Sequence, residues 1–340
     1  METLRIGLIG AGDVARAAHI PSFAGNKKVE MLAVADPDTA SAHSVAEHFG
    51  IRKVVQDYHE VLDDPSINAV DICVPHYLHY RITMDALNEG KHVICEKPIA
   101  MNLEEADRMI ETAHELGLWL LITLNQRFMP IHRKVKEFIM GGRLGKPFLV
   151  NAQVVGDEMT LLSDANHWKG TWDRAGGGAF FDTGTHIVDL MHYWFGEPTA
   201  VNATLKRLIA KPENKADDNA VVILEYDDDL IANLLISYSQ ENEPWSEKKF
   251  IFGTGGNISM ISEVAVPMFF VSNNSPEMVE VEHKADWWAW SHDLALRHFV
   301  DCILENAEPV VTAEDARAAL KTILAAYQSS REGRRIQIAV

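Results

Sequence analysis

The chain has 340 residues, 47% of them hydrophobic and 24% charged, and its 49 acidic against 31 basic side chains give a net charge of −18. With a mean hydropathy of −0.08, that balance describes a packed globule rather than a disordered chain, and no apolar run approaches the roughly 18 residues of a membrane-spanning helix. The acidity, with no basic stripe, excludes nucleic acid and membrane surfaces as expected partners and leaves small-molecule chemistry as the leading class.

The first residues, METLRIGLIG, enter an apolar strand without the basic region, long apolar stretch and cleavage site of a secretory signal. The cytoplasm is the expected location, and Cys73, Cys95 and Cys302, which form no CxxC pair, fit a reducing compartment. Strands are predicted at Leu4–Ile9, Val29–Ala35, Val70–Val74, His92–Cys95 and Leu118–Thr123. Helices are predicted between them at Asp13–Phe23, Thr39–Phe49, Tyr80–Glu89 and Leu103–Leu116, the last capped by Asn102 with Glu104 and Glu105 in its first turn. Short apolar runs alternating with helices predict a doubly wound parallel α/β domain over residues 1–124.

After Gly141 and Gly142 the pattern changes. Strand-like runs follow one another at Pro147–Val155, Val201–Ile209, Asn219–Tyr226, Ile231–Ser239 and Lys248–Phe252, with Tyr226–Leu230 (YDDDL) as a hairpin turn. That pattern predicts an antiparallel sheet in a second α/β domain over residues 125–340, closed by helices at His292–Glu305 and Ala313–Ser330. A chain of this length is expected to form two domains, because one core rarely grows much past about 250–300 residues.

Chemistry enters at RIGLIGAGDVARAAHI, which places Gly10-x-Gly12-x-x-Ala15 between a strand and a helix. Gly10 permits a tight turn, Gly12 lets the backbone approach a pyrophosphate, Ala15 allows close helix–strand contact, and Asp13 and Val14 open a helix whose N-terminus faces the phosphates. The next strand ends in Asp36, placed to accept hydrogen bonds from an adenosine ribose. A carboxylate there repels a 2′-phosphate, and the following DPDTA offers no arginine to hold one, so NAD is expected in preference to NADP.

A second candidate cluster lies in KHVICEKPIA, where a strand ends in Glu96, Lys97 and Pro98, at the carboxyl edge where open α/β sheets bind ligands. An ammonium there can hydrogen-bond a substrate hydroxyl and lower its pKa. It could equally be a solvent-facing lysine paired with Glu96. CVPHYLHY places Pro75, His76 and His79 at the end of the preceding strand, able to line a cofactor channel; no acidic or cysteine ligand set accompanies the histidines, so no metal is expected. Asn125, Gln126 and Arg127 in LNQRF follow the last strand of the first domain, within expected reach of cofactor or substrate, although Arg127 could be structural.

The third cluster is GGGAFFDTGTHIVDL. Asp182 can cap a helix, and if the helix begins there, the i,i+4 spacing puts Asp182 and His186 on one face. His186, with an ordinary pKa near ~6.5, suits proton acceptance around neutral pH. Just upstream, NHWKGTWDRAGGG brings Trp168, Lys169 and Trp172, with Asn166, His167 and Arg174, in the mixture of aromatic faces and donors that suits a polyol. The same tryptophans could pack on the core, and DWWAW at Asp286–Trp290 is read as core or interface.

Together GLIGAGDVA, AVADPD, CVPHYLH, GKHVICEKPIA, LNQRF, GGGAFFDTGTHIVDL and TAEDARAALKTILAAYQSSREGRR resemble the glucose–fructose oxidoreductase, inositol dehydrogenase and rhizopine catabolism (Gfo/Idh/MocA) family over nearly the whole chain. The resemblance implies a Rossmann domain, an open and mostly antiparallel second domain whose exposed sheet face forms a homodimer or homotetramer, and a nicotinamide bound at their junction. It implies oxidation of one secondary alcohol of a sugar or cyclitol, with Lys97 as the catalytic lysine and Asp182 and His186 as the substrate-binding and proton-transfer pair. Two departures stand out: VPH at Val74–His76 replaces the family's usual TPN, and Pro37 follows the second-strand acid. On this reading His186 is the general base, Lys97 stabilises the developing alkoxide, and Asp182 positions substrate or His186, with Lys97 as an alternative base. A redox-neutral, NAD-dependent glycoside hydrolase and a non-catalytic dinucleotide sensor are the competing functions.

Overall fold

The computed structural model describes residues 3–211, 215–227, 229–241, 245–261, 268–272 and 275–338. It divides into two compact units: Met1–Phe128 with Asp286–Arg317, and Met129–Ala285 with Ala318–Val340. Where the sequence pattern draws one boundary after residue 124, the structure assigns the helix Trp287–Glu305 to the first unit. That helix buries Trp290, Leu296, Phe299 and Val300, and its Asp301 takes the Lys28 ammonium at 2.7 Å.

The first unit is built on six parallel strands, β1 (Leu4–Ile9), β2 (Val29–Ala35), β3 (Lys53–Val55), β4 (Ala69–Ile72), β5 (His92–Cys95) and β6 (Leu120–Ile122), in the order β3-β2-β1-β4-β5-β6. This is the doubly wound dinucleotide-binding arrangement, in which ligands lie beyond the carboxyl ends of the strands. Short strands buried on both faces explain the continuous apolar runs: every residue of β4 and β6 is buried. Helix ends follow local chemistry. Asn102 Oδ1 accepts from the Glu105 amide at 2.9 Å, and the helix Leu103–Leu116 stops at Gly117, whose φ of +65° suits glycine. Three details differ from the sequence pattern. β3 has three residues, too few to show a period, and the helix before β5 starts at His76 rather than Tyr80. The first helix runs through a π-helical turn, Ala15–His19, into Ile20–Ala24.

The second unit carries a nine-stranded sheet made of β7 (Pro147–Val155), β8 (Ala200–Lys206), β9 (Asn219–Glu225), β10 (Ile231–Ser237), β11 (Ser246–Gly253), β12 (Gly256–Ile261), β13 (Met268–Ser272), β14 (Ser275–Met278) and β15 (Ile336–Gln337). Their order is β14-β13-β12-β11-β7-β10-β9-β8-β15. All pairs are antiparallel except β7 with β10. The YDDDL turn closes the β9–β10 hairpin, with Asp229 at φ +59°; Asp228 lies outside the described residues. Residues alternate strictly: Ala220, Val222, Leu224, Ala232, Leu234 and Ile236 face the core, while Val221, Ile223 and Ile231 face outward. Among the described residues no helix is long and apolar enough to cross a membrane.

Candidate active site

The glycine loop after β1 is shaped for close approach. Gly10 has φ +99°, and a Cβ there would lie 2.1 Å from the Cys73 carbonyl oxygen, so both its conformation and its space require glycine. A Cβ on Gly12 would meet nothing within 4 Å, and this exposed backbone, ahead of the exposed Asp13, the half-buried Val14 and the buried Ala15, fits a dinucleotide pyrophosphate. Asp36 at the end of β2 folds back on the loop: Oδ2 accepts from the Ala11 amide at 2.7 Å and Oδ1 from the Asp38 amide at 2.8 Å. An arginine also stands here, supplied by the first helix and not by DPDTA. Arg16 donates from Nε to the Ala11 carbonyl at 2.7 Å and from Nη2 to the Ser41 carbonyl at 3.1 Å. The sequence reading, confined to residues after Asp36, missed it.

Lys97 leaves β5 on a turn gripped by buried groups. Its backbone amide donates to Glu96 Oε2 at 3.2 Å. Burial alone would raise the Glu96 carboxyl, but hydrogen bonding and charge from His19, with His292 and Lys97 beyond, hold it at about 2. On the other side, His79 is fully buried with Nδ1 2.7 Å from the Pro98 carbonyl and Nε2 2.9 Å from the Val74 carbonyl. Burial lowers its pKa more than these carbonyls raise it, and the ring lies buried between the Pro75–His79 helix start and the turn rather than facing solvent. His76 is also buried, its ring edge-on to His79 with centroids 5.6 Å apart.

Asn125, Gln126 and Arg127 form a buried 3-10 turn after β6. Asn125 Nδ2 lies 2.8 Å from Ser291 Oγ and 2.9 Å from His292 Nδ1, while Arg127 Nη1 pairs with Asp315 Oδ2 at 3.0 Å. Arg127 thus takes a structural partner inside the first unit. His19, Asp71 and His292, which complete the cluster around Glu96, carry no local sequence signal.

In the second unit the glycine run is capped from a distance. Asp182 does not start a helix; it ends the short helix Ala179–Asp182, and Gly184–Phe195 follows after Thr183. The carboxylate that meets the exposed amides is Asp217, which accepts from Gly178 at 3.1 Å and from Phe180 at 2.9 Å. A Cβ on Gly178 would fall 1.8 Å from the Asp217 carbonyl oxygen, which explains that glycine. Because Thr183 keeps helical dihedrals (φ −78°, ψ −32°), the chain continues helically from Asp182 to His186 despite the break.

Asp182 Oδ2 accepts from the Tyr238 hydroxyl at 2.7 Å and lies 2.9 Å from Lys169 Nζ. Glu158 Oε2 is 3.6 Å from the same ammonium, and Thr183 Oγ1 is 2.7 Å from the Tyr238 oxygen. Burial would lower the Lys169 pKa, but Asp182 and then Glu158 raise it overall; burial and the same two acids push the Tyr238 hydroxyl well up. At neutral pH Lys169 is therefore an ammonium and Tyr238 a phenol, both beside Asp182. His186 is half-buried on the following helix. Lys169 Nζ lies 5.8 Å from the Trp168 ring, and Trp172 packs edge-on against Tyr327 at 5.4 Å. Arg174 Nε donates to Thr171 Oγ1 and Nη2 to the Ala165 carbonyl, which binds the NHWKGTWDR loop to itself. Tyr238 and Glu158 were not singled out from the sequence, although Tyr238 falls within a predicted strand.

Comparison with known proteins agrees with this architecture. Residues 4–123 match the oxidoreductase family with an NAD-binding Rossmann fold, and residues 132–259 match the Gfo/Idh/MocA C-terminal domain. The chain belongs to the Gfo/Idh/MocA family of oxidoreductases. Levoglucosan dehydrogenase of Pseudarthrobacter phenanthrenivorans is 32% identical over 218 residues, a stretch spanning 62% of this chain and 55% of that enzyme. The scyllo-inositol 2-dehydrogenase (NAD(+)) of Bacillus subtilis is 27% identical over 321 residues, 92% of this chain and 89% of that enzyme. A solved structure of levoglucosan dehydrogenase in complex with NADH shares the fold with a TM-score of 0.90, at 22% identity over 99% of this chain and 100% of that one.

Proposed function

We propose that this chain oxidises a secondary alcohol of a sugar, sugar derivative or cyclitol with NAD as hydride acceptor. The observation that carries the reading is Lys97, set just beyond β5 of an NAD-binding Rossmann unit, its backbone fixed by the ionised Glu96. Relatives named as dehydrogenases of levoglucosan and scyllo-inositol support the substrate class. Nicotinamide, when bound, supplies the site that receives hydride. Lys97 hydrogen-bonds the reacting hydroxyl and stabilises the charge that grows on its oxygen. His186 takes the hydroxyl proton as general base, and Asp182, held by Lys169 and Tyr238, is the acceptor that orients substrate. The test is a screen of sugars, inositols, sugar acids and glycosides with NAD, following NADH and product together. Net NADH with an oxidised product is expected; glycoside cleavage without net NADH would replace this reading with the redox-neutral hydrolase.

The cofactor preference follows from Asp36, whose carboxylate opposes a 2′-phosphate, while the neighbouring Arg16 guanidinium is committed to two backbone carbonyls. Asp36→Ala is expected to raise relative use of NADP by about tenfold, a change of about 1.4 kcal/mol. Wild-type preference for NADP by that margin would overturn the assignment. The outward face of the second-unit sheet, with Val221, Ile223, Ile231 and Phe269 between 37% and 47% exposed, is the surface we assign to a homodimer or homotetramer. Ile223→Lys is expected to reduce the mass measured by sedimentation to that of one chain.

A further inference from the structure

Behind the Lys97 turn lies a charged chain that the reaction above does not use. His19, on the π-helical turn Ala15–His19, is fully buried between two carboxylates, with Nδ1 2.9 Å from Asp71 Oδ1 and Nε2 2.9 Å from Glu96 Oε1. A neutral imidazole carries one N–H, so one of these contacts would set a ring lone pair against a carboxylate oxygen. Only the imidazolium donates to both. Burial opposes that charge, but Asp71 and then Cys73 more than reverse it, and the ring's pKa stands well above the usual histidine value.

The other ionisable groups around the pair are Cys73, whose Sγ is 3.4 Å from His19 Nδ1, and His292, whose Nε2 is 3.7 Å from Glu96 Oε1. Cys95 and Lys97 flank Glu96 in sequence, and His79 grips the far side of the turn. Burial drives His292 down to about 4, so of the two imidazoles beside Glu96 the charged one at neutral pH is His19.

We propose that His19 is a positioning residue for Lys97: an imidazolium held between Asp71 and Glu96 that fixes Glu96 Oε1, while Glu96 Oε2 accepts the Lys97 amide and sets where the lysine side chain leaves the turn. The proposal rests on the reading of Lys97 as the substrate-facing lysine. The same atoms offer a second chemistry. His19, Glu96 and His292 bring ligand atoms within 4.8 Å of one another, as do His19, Asp71 and Cys73. A doubly protonated His19 excludes a cation from both sets, so the two readings are mutually exclusive.

The decisive measurement needs no substrate. NMR of the histidine ring nitrogens in the purified full chain is expected to show both His19 nitrogens protonated at about pH 7, above the ordinary histidine value of about 6.5. A neutral ring at about pH 7, or one equivalent of zinc retained on purification, would overturn the proposal. With isotope-labelled lysine side chains, and Lys97 assigned from its absence in Lys97→Ala, His19→Gln is expected to move the Lys97 signal; an unmoved signal would also overturn it.

With a turning-over substrate, His19→Gln is expected to lower kcat about tenfold while NADH affinity stays within about twofold. It adds a limb to the pH–rate profile in which activity rises with pH, because Glu96 without its cation takes up a proton more readily. Glu96→Gln in the same chain removes that limb. A uniform loss at all pH values would mark a purely structural histidine. If no alcohol is oxidised, the function proposed above fails, and the two NMR readouts still decide the role of His19.

Discussion

The two units hold Lys97 and Asp182, the side chains to which the proposed reaction assigns roles, by opposite means. In the first, Lys97 is fixed through its backbone: Glu96 takes its amide, His79 takes the next carbonyl oxygen, and the groups that set their charges are fully buried. In the second, Asp182 is fixed through its side chain, by Lys169 and Tyr238, and remains partly open to solvent with 13% of its side chain exposed. A buried charge must be fully paired or it is lost to protonation, whereas a partly solvated one can exchange partners with an arriving hydroxyl. On the function proposed above, the difference is a division of labour: a lysine held in place by its backbone, and an acceptor whose side-chain hydrogen bonds can be traded.

The largest effect expected from breaking this pattern comes at the groups to which the proposed reaction gives the chemistry. Lys97→Ala and His186→Ala should each lower kcat by about a hundredfold or more, the scale of losing a general acid–base or charge-stabilising group, while NADH binding measured by fluorescence stays near wild type. Asp182→Asn sharpens the contrast. It takes away one of the two carboxylates beside Lys169 and leaves Glu158, so KM should rise along with a smaller fall in kcat. Near-wild-type turnover in any of the three would remove that residue from the mechanism.

The next effect, smaller, bears on the frame of the second unit. Asp217 accepts from the Gly178 and Phe180 amides and from the Tyr327 hydroxyl, and it is buried. Asp217→Asn exchanges one carboxylate oxygen for an amide donor, so one of those donors loses its acceptor. A loss of about 2 kcal/mol in denaturant unfolding is expected, the cost of one buried unpaired group. If the loss were instead absent, the glycine run would not depend on this distant cap.

How far these arrangements were legible in the sequence depends on the distance between partners. β1, β2, β5 and β7, and the helix Leu103–Leu116 with its Asn102 cap, were read to their observed ends, because periodicity and caps are local signals. β3 and β12–β15 were not read, being short or interrupted by turns, and nothing local distinguishes the parallel β7–β10 pair. The glycine loop, Asp36, the Glu96–Lys97–Pro98 turn and the Asp182–His186 spacing stood out as motifs. Their partners did not: His19 meets Asp71 and Glu96 across 52 and 77 residues, and Asp217 caps Phe180 from 37 residues away. Only the fold brings such pairs together, and a helix-capping aspartate was expected at 182 when the cap was at 217.

The smallest expected effect separates the two kinds of buried histidine in the first unit. His292 is held neutral, with its pKa driven from the ordinary value near 6.5 to about 4 by burial. A base whose folded pKa is depressed is protonated more readily when unfolded, so His292 costs stability progressively as pH falls from about 6.5 to about 4. His79 and His92, also lowered by burial, act in the same direction. Glu96, lowered from 4.5 to about 2, contributes stability above about 4.5 that is lost only as pH falls further. His19 has the opposite sign: raised by its carboxylates, it contributes fully below about 6.5 and loses that contribution only on the alkaline side, as pH climbs through its folded value. Stability measured by denaturant melts between about pH 6 and about pH 5 should therefore fall with acid, and His292→Gln should reduce the slope by one proton, about 1.4 kcal/mol per pH unit. An unchanged slope in His292→Gln would mean that His292 is already charged in the folded chain, and Glu96 would then answer to a second imidazolium beside His19.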